Sequence, residues 1–149
     1  MVDRYVSDPI DLPERDAGAG YFRADLVFYD VDHSGPSYEA LVFLNAPDAD
    51  AATPRDDEHY AGSFKIFGHG SCFGDVGHCD VPTGPRDPFD LRPPHHLVPA
   101  SKTVVVTEAF KRLVAPGDET MTVTVVAVTP GDGPNDVLKF DRVRLLTYS

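Results

Sequence analysis

The segment from His69 to Cys79 (HGSCFGDVGHC) gathers the side chains of this chain that are best suited to do chemistry together. It holds both cysteines of the protein and two of its six histidines. Thiolate and imidazole groups are the ligands that select copper or zinc. We therefore predict a soft-metal site, with copper favoured over zinc. Its predicted ligands are His69, Cys72, His78 and Cys79.

Two other interpretations of the cysteine pair remain open. The spacing matches no standard zinc finger, because structural zinc sites often use cysteine pairs two residues apart. A Cys72–Cys79 disulfide is allowed if the two Cα atoms come within about 7 Å of each other, and two free thiols are the third interpretation. We assign no catalytic residues, because no oxyanion device or orienting acid beyond nearby aspartates accompanies either thiol.

Three further residues are candidates for a role in binding. His95 and His96 follow two prolines in a stretch that excludes a helix, and they are secondary metal candidates. Phe73 lies between the two cysteines in a glycine-flanked loop. If the domain shields a partner's pocket, Phe73 is the side chain that would fill it. The other interpretation is that Phe73 folds back onto the chain's own core.

The charge of the chain limits its partners. It carries 13 basic and 24 acidic residues, which gives a formal net charge of −11. This argues against nucleic acid and anionic membranes, because binding phosphate requires a cationic surface; metal cations and basic protein surfaces fit better. No apolar run approaches the roughly 20 residues of a membrane span, and residues 1–16 lack the apolar core of a secretory signal. We expect a cytoplasmic protein, with secretion alongside a partner left open.

Apolar and polar residues alternate with a period of two in several parts of the chain, which indicates strands. We therefore expect strands to position the candidate loop. Six strands are predicted, at residues 21–31, 38–45, 60–67, 102–107, 120–129 and 137–148. A short helix is expected over residues 108–114 with Thr107 as its cap. The apolar residues switch from one side of the predicted strand to the other between Phe140 and Val143, and this switch predicts a β-bulge. Five aromatic residues at alternating strand positions are predicted to be buried: Phe22, Phe28, Tyr38, Phe43 and Phe64.

These elements predict the fold class and the domain organisation. A chain of 149 residues fits a single domain. Short strands with turn signals between them and one short helix predict an all-β, antiparallel β-sandwich. Residues 1–20 are polar and contain prolines and glycines, so we interpret them as an N-terminal arm or linker. Residues 21–149 then form the sandwich domain.

The order of several segments resembles the C-terminal domain that follows the dicopper domain in polyphenol oxidases and related tyrosinases, the type 3 copper proteins. The segments that carry the resemblance are YEALVFLN, AGSF running into Gly68-His69, a valine-rich strand before a short helix with Leu113, TVTVVAVTPGDG, and Lys139-Phe140-Asp141. Together they span roughly residues 21–148. The resemblance implies a jelly-roll-like β-sandwich that shields the copper site and is removed or displaced on activation. In some tyrosinases, cysteines of this part are associated with copper loading.

The chain departs from the family's pattern in two respects. It carries the longer SCFGDVGHC loop after His69, and it lacks a dicopper domain, in which three histidines bind each copper. We therefore expect a non-catalytic accessory domain that docks on a dicopper oxidase domain, in cis or in trans, shields its active site and assists copper loading in the manner of a chaperone. One alternative is a stand-alone copper or zinc protein, or a metalloenzyme, that uses this loop. The other is an interaction module with a structural disulfide.

Overall fold

The computed structural model describes residues 3–14, 22–70, 84–85, 87–91, 98–131 and 136–149. These residues form nine strands and one helix. In chain order they are β1 (Arg4–Val6), β2 (Ile10–Asp11), β3 (Arg23–Val31), β4 (Tyr38–Leu44), β5 (Tyr60–Ile66), β6 (Ala100–Val105), α1 (Thr107–Leu113), β7 (Thr120–Met121), β8 (Val123–Val128) and β9 (Arg142–Tyr148).

The strands form two main sheets and one small one. The larger sheet has the order β1-β8-β4-β5, the second has the order β6-β3-β9, and β2 pairs with β7. Every pairing among these strands is antiparallel. The predicted fold class, an antiparallel β-sandwich with one short helix, is confirmed. The helix has seven residues, and in the described parts of the chain no helix is long and apolar enough to cross a membrane.

The core lies between the two main sheets and uses the alternating residues of each strand. Leu26 and Phe28 of β3 face Val42 and Val125 of the larger sheet, and all four side chains are fully buried. Burying one such side chain contributes about 1.5–3 kcal/mol to folding. In β3, the period-two pattern of the sequence translates into one face in the core and one face outside it.

Strand β4 is buried on both faces because a loop covers the outer face of the larger sheet. Residues 46–59 make this covering loop, whose Ala49 packs with Leu41, Phe43 and Val126 in a second apolar cluster. The loop is built from tight turns, in which the Asp50 carboxylate accepts hydrogen bonds from backbone N–H groups. Aspartate favours such turns because its short side chain reaches the backbone two or three residues ahead.

The described N-terminal residues are extended and hydrogen-bonded to the sandwich, a pairing that the sequence pattern does not predict. Strand β1 lies at the edge of the larger sheet beside β8. The carboxylate of Asp3 accepts hydrogen bonds from the N–H groups of Val137 and Leu138 at 2.5 and 2.6 Å, and Ser7 and Val123 exchange two more. The division of the chain into an arm of residues 1–20 and a domain of residues 21–149 stays a prediction.

Two local predictions are wrong. Thr107 does not cap the helix: Val106 occupies the cap position without a side-chain bond, and Thr107 Oγ1 instead accepts a hydrogen bond from Ala24 N at 3.1 Å. Phe22 is 80% exposed because it precedes the first residue of β3. The other four aromatic residues predicted to be buried are at most 6% exposed.

The predicted β-bulge between Phe140 and Val143 stays a prediction. Phe140 precedes the first residue of β9, and the pairing with β3 runs in regular register from Arg142, the partner of Tyr29, to Tyr148. Before the strand, Asp141 donates its N–H to the carbonyl oxygen of Tyr29 at 2.9 Å.

Candidate metal-binding loop and its anchor

The candidate loop begins beside the turn that joins β3 to β4. This turn spans residues 32–37, and Ser34 N donates a hydrogen bond to Asp32 Oδ1 at 2.8 Å. Burial by itself would raise the pKa of Asp32, but the hydrogen bonds from Ser34 and the nearby Lys139 and His33 lower it overall. The carboxylate is therefore held in the charged form that accepts the bond from Ser34 and fixes the turn.

Residues 67–70 leave β5 and pack directly against this turn. Gly68 N donates to Ser37 Oγ at 3.0 Å, and Gly70 N donates to Gly35 O at 2.8 Å. A Cβ atom on Gly68 would lie 2.2 Å from Gly35 O, and one on Gly70 would lie 2.8 Å from Pro36 N. Only glycine permits this close approach of two backbones. The two segments form an anchor from which the loop departs at a defined position.

His69 lies between these glycines and faces His33 of the turn. The backbone N–H of His69 donates to His33 O at 3.1 Å, and Nδ1 of its ring lies 3.2 Å from the same oxygen. The two imidazole rings make an edge-to-face contact with centroids 5.3 Å apart. Because a carbonyl oxygen only accepts, Nδ1 carries the proton in this arrangement.

The ring of His33 is oriented by a third segment. Its Nε2 lies 2.7 Å from the carbonyl oxygen of Val98, so Nε2 donates and Nδ1 is the acceptor nitrogen of this imidazole. A bond from one ring nitrogen to a backbone carbonyl is the usual way in which proteins orient a metal-binding histidine. The anchor thus joins three separate parts of the chain around two histidines.

The structure places one of the predicted ligands, His69, at this anchor. Six of the predicted site residues lie outside the described residues: Cys72, Phe73, His78, Cys79, His95 and His96. Within the described ranges, no group of three or more histidine, cysteine, aspartate or glutamate side chains is arranged to hold a metal ion. The role of His69 as a metal ligand and the complete ligand set stay predictions.

His33 is not among the residues for which the sequence predicts a binding role. The histidine lies in a turn, and a turn residue is expected to bond to its neighbours, whereas its ring partner Val98 is 65 residues away. The signal that could have revealed the contact is the pair of glycines at 68 and 70. Glycines flanking a histidine directly after a strand indicate close approach to another backbone.

The described residues define an antiparallel β-sandwich whose β5 is followed by the anchor at residues 68–70. Solved structures with a similar fold are those of recombinant latent aurone synthase, a polyphenol oxidase, and of the same enzyme from its natural source. They share 16% and 15% identity with this chain, at TM-scores of 0.59 and 0.57. The match covers 97% of this chain but 24% of each of those chains.

These similarities are similarities of fold. This chain corresponds to about a quarter of the length of the polyphenol oxidase chains that it matches. No protein-family model matches the sequence, and a search of the curated proteins finds no match either.

Proposed function

We propose that this chain is a non-catalytic accessory domain that docks on a dicopper oxidase domain of the tyrosinase type and shields its active site. The observation that carries the proposal is the extent of the structural match: nearly the whole chain resembles a quarter of a latent polyphenol oxidase. A fold that matches such an enzyme over one part only is suited to assist the catalytic part rather than to replace it.

The distribution of histidines supports a non-catalytic role. A dicopper centre of this type needs two sets of three histidines, and this chain has six histidines in total. Two of the six meet at the anchor, whereas His59 lies by the start of β5, where its Nδ1 donates to Leu44 O at 2.9 Å. Strand β4 therefore already holds the ring of His59, which does not join the other two.

The loop after the anchor suits a second part of the proposal, assistance in copper loading. Thiolates prefer Cu(I), and His69 with Cys72, His78 and Cys79 would supply two sulfur and two nitrogen ligands. The hydrogen bond from His69 Nδ1 to His33 O would hold one of these ligands ready. Copper bound there would be passed to the oxidase domain rather than used for chemistry in place.

The shielding role is tested by adding the purified chain to a dicopper oxidase domain encoded beside or upstream of it, produced without this chain. We expect catechol oxidation to fall as the chain is added, and the chain alone, loaded with copper, to oxidise no phenol or catechol. Replacement Phe73→Ala should weaken the inhibition if Phe73 fills the pocket. Copper-dependent turnover by the isolated chain, or an unchanged rate of the oxidase, would overturn the proposal.

Two exposed aromatic residues provide matched controls for the Phe73 variant. Phe89 is 90% exposed and Phe67, next to the anchor, is 86% exposed. Phe89→Ala should leave the inhibition unchanged. If Phe67→Ala relieves inhibition while Phe73→Ala does not, the shielding side chain is Phe67 and the assignment of Phe73 is wrong.

Copper loading is tested by the stoichiometry of metal binding. The reduced chain should bind about one Cu(I), and the double replacement of Cys72 and Cys79 by Ser should abolish binding because it removes both thiolates. Equal copper content in the double variant would exclude the loop. A mass increase of two hydrogens on reduction, without copper uptake, would support the structural disulfide instead.

A further inference from the structure

The outer face of the smaller main sheet presents arginine and tyrosine side chains between apolar ones. On β3 and β9, alternate residues such as Leu26, Phe28 and Leu145 pack in the core, so the residues between them point outward. We call this outer surface the arginine–tyrosine face. It is made of Val27, Tyr29, Arg142, Arg144, Leu146 and Tyr148.

The side chains of this face are held in place by the sheet but remain accessible. Val27 pairs with Arg144, and Tyr29 pairs with Arg142, whose guanidinium lies 4.6 Å from the centre of the Tyr29 ring. The Arg142 side chain is 56% exposed and Tyr148 is 46% exposed. Tyrosine and arginine are the residue types enriched in the centres of protein interfaces, because they combine apolar area with hydrogen-bonding groups.

The charged residues on this face and directly beside it carry a net positive charge, opposite in sign to that of the chain as a whole. Arg142 pairs with Asp141 at 2.7 Å, and at the far end of the face Arg23 covers the buried carboxylate of Asp25 at 2.8 Å. Arg144 makes no ion pair within the described part of the chain and is exposed. Three arginines thus meet two carboxylates here, whereas the full chain has 13 basic and 24 acidic residues.

We propose that the arginine–tyrosine face is the surface that docks on the oxidase domain, against a patch of that domain in which carboxylates surround apolar side chains. This inference rests on the proposed function. An extended polyanion such as nucleic acid fits poorly, because the net charge of −11 would repel it beyond this small face. A protein with a local acidic patch gains the attraction without that repulsion.

The position of the face agrees with the shielding role. One end of the face is formed by Tyr29 and Arg142. Tyr29 is two residues before Val31, the last residue of β3, and the turn that carries His33 follows. This end of the face therefore lies at the same end of the sandwich as the anchor. The face extends from there to Tyr148, the register partner of Arg23, a distance of about 20 Å at roughly 3.3 Å per residue. Docking along this face would bring the anchor at residues 68–70 to the rim of the contact.

The inference is tested by measuring binding of the chain to the oxidase domain with charge-reversal variants. Arg144→Glu and the double variant Arg142→Glu/Arg144→Glu should raise Kd about tenfold or more, since they turn attraction into repulsion. Binding of the wild-type chain should weaken as NaCl rises. Lys65→Glu, on the exposed outer side of β5 in the other sheet, changes the net charge equally and should leave Kd within about twofold of wild type.

The possible outcomes separate this inference from the proposed function. If the wild-type chain does not bind the oxidase domain, both fail. If it binds and inhibits but Arg144→Glu binds equally well, the face is wrong and the accessory role stands. A wild-type dimer in sedimentation equilibrium that Arg144→Glu dissociates, or binding of a DNA oligonucleotide, would also overturn the assignment. Arg144→Gln, which removes the charge without reversing it, should give an intermediate Kd, and thermal unfolding checks that each variant is folded.

Discussion

The outer faces of the two main sheets differ in how they are covered. On the larger sheet, the covering loop of residues 46–59 buries Leu41 and Phe43, so the chain itself shields this apolar face from water. On the smaller sheet, the arginine–tyrosine face keeps half-buried apolar residues beside exposed guanidinium groups. A sheet face covered within the chain contributes to stability, whereas an accessible face is free to contribute to binding. The predictions below test this difference.

The largest expected effect is on stability, from removing a ring under the covering loop. Phe43 is fully buried, and its ring contacts Tyr60 with centroids 5.6 Å apart. Phe43→Ala should lower the free energy of unfolding by about 3–5 kcal/mol, because it leaves a cavity. Leu146→Ala, on the arginine–tyrosine face, should cost about 1 kcal/mol, since its side chain is only half-buried. Urea unfolding of both variants measures the difference; equal losses would show that the two faces are covered alike.

A smaller effect is expected from loosening the end of the covering loop. The guanidinium of Arg112 donates to Glu58 O at 2.9 and 2.6 Å and to Tyr60 O at 3.3 Å, which ties helix α1 to the loop. Arg112→Met keeps the aliphatic stem but removes these bonds, so backbone amides of the loop should exchange faster with solvent. The matched replacement Arg144→Met should leave amide exchange in the loop at the wild-type rate. No change in the Arg112 variant would mean that the loop stays in place without this tie.

The smallest effect concerns pH. Arg55 of the covering loop makes two hydrogen bonds to Glu39 of β4, at 3.0 and 2.7 Å. These bonds, with a further one from Ser63, lower the pKa of Glu39 below its usual value of 4.5. The ionised form is stabilised by folding, so the contribution is complete above the unfolded pKa and disappears as pH falls through the lower folded pKa.

The measurement is the melting temperature of wild type and Glu39→Gln between pH 7 and pH 3. The wild-type protein should be slightly more stable at neutral pH, and the difference should shrink below about pH 4.5. The difference in melting temperature between wild type and Arg55→Gln should also shrink below about pH 4.5. The double variant should lose no more stability than either single variant, because both remove the same ion pair. A difference that is independent of pH would exclude this ion pair as its cause.

The sequence predicted the sandwich because apolar and polar residues alternate in β3, which has one face in the core, and because the valine-rich run of β8 indicates a strand although both of its faces are buried. It did not predict β1 and β2, since strands of three and two residues are too short to show a period. The contact between His33 and His69 was missed for another reason: it depends on two backbones meeting, which side-chain patterns do not encode. The net charge favoured basic partners because it averages over the whole chain. It does not show that Arg142 and Arg144, two residues apart on β9, lie on the same face.

The glycine anchor has a consequence for how the candidate loop can change. Gly68 and Gly70 are fixed by the turn of residues 32–37, so the direction in which the chain leaves β5 is set by residue 70, before the first cysteine. The segment beyond Gly70 can then be lengthened or exchanged while β4 and β5 keep their pairing. Within this chain, the strand pairing that builds the sandwich is thus separate from the segment that carries both cysteines.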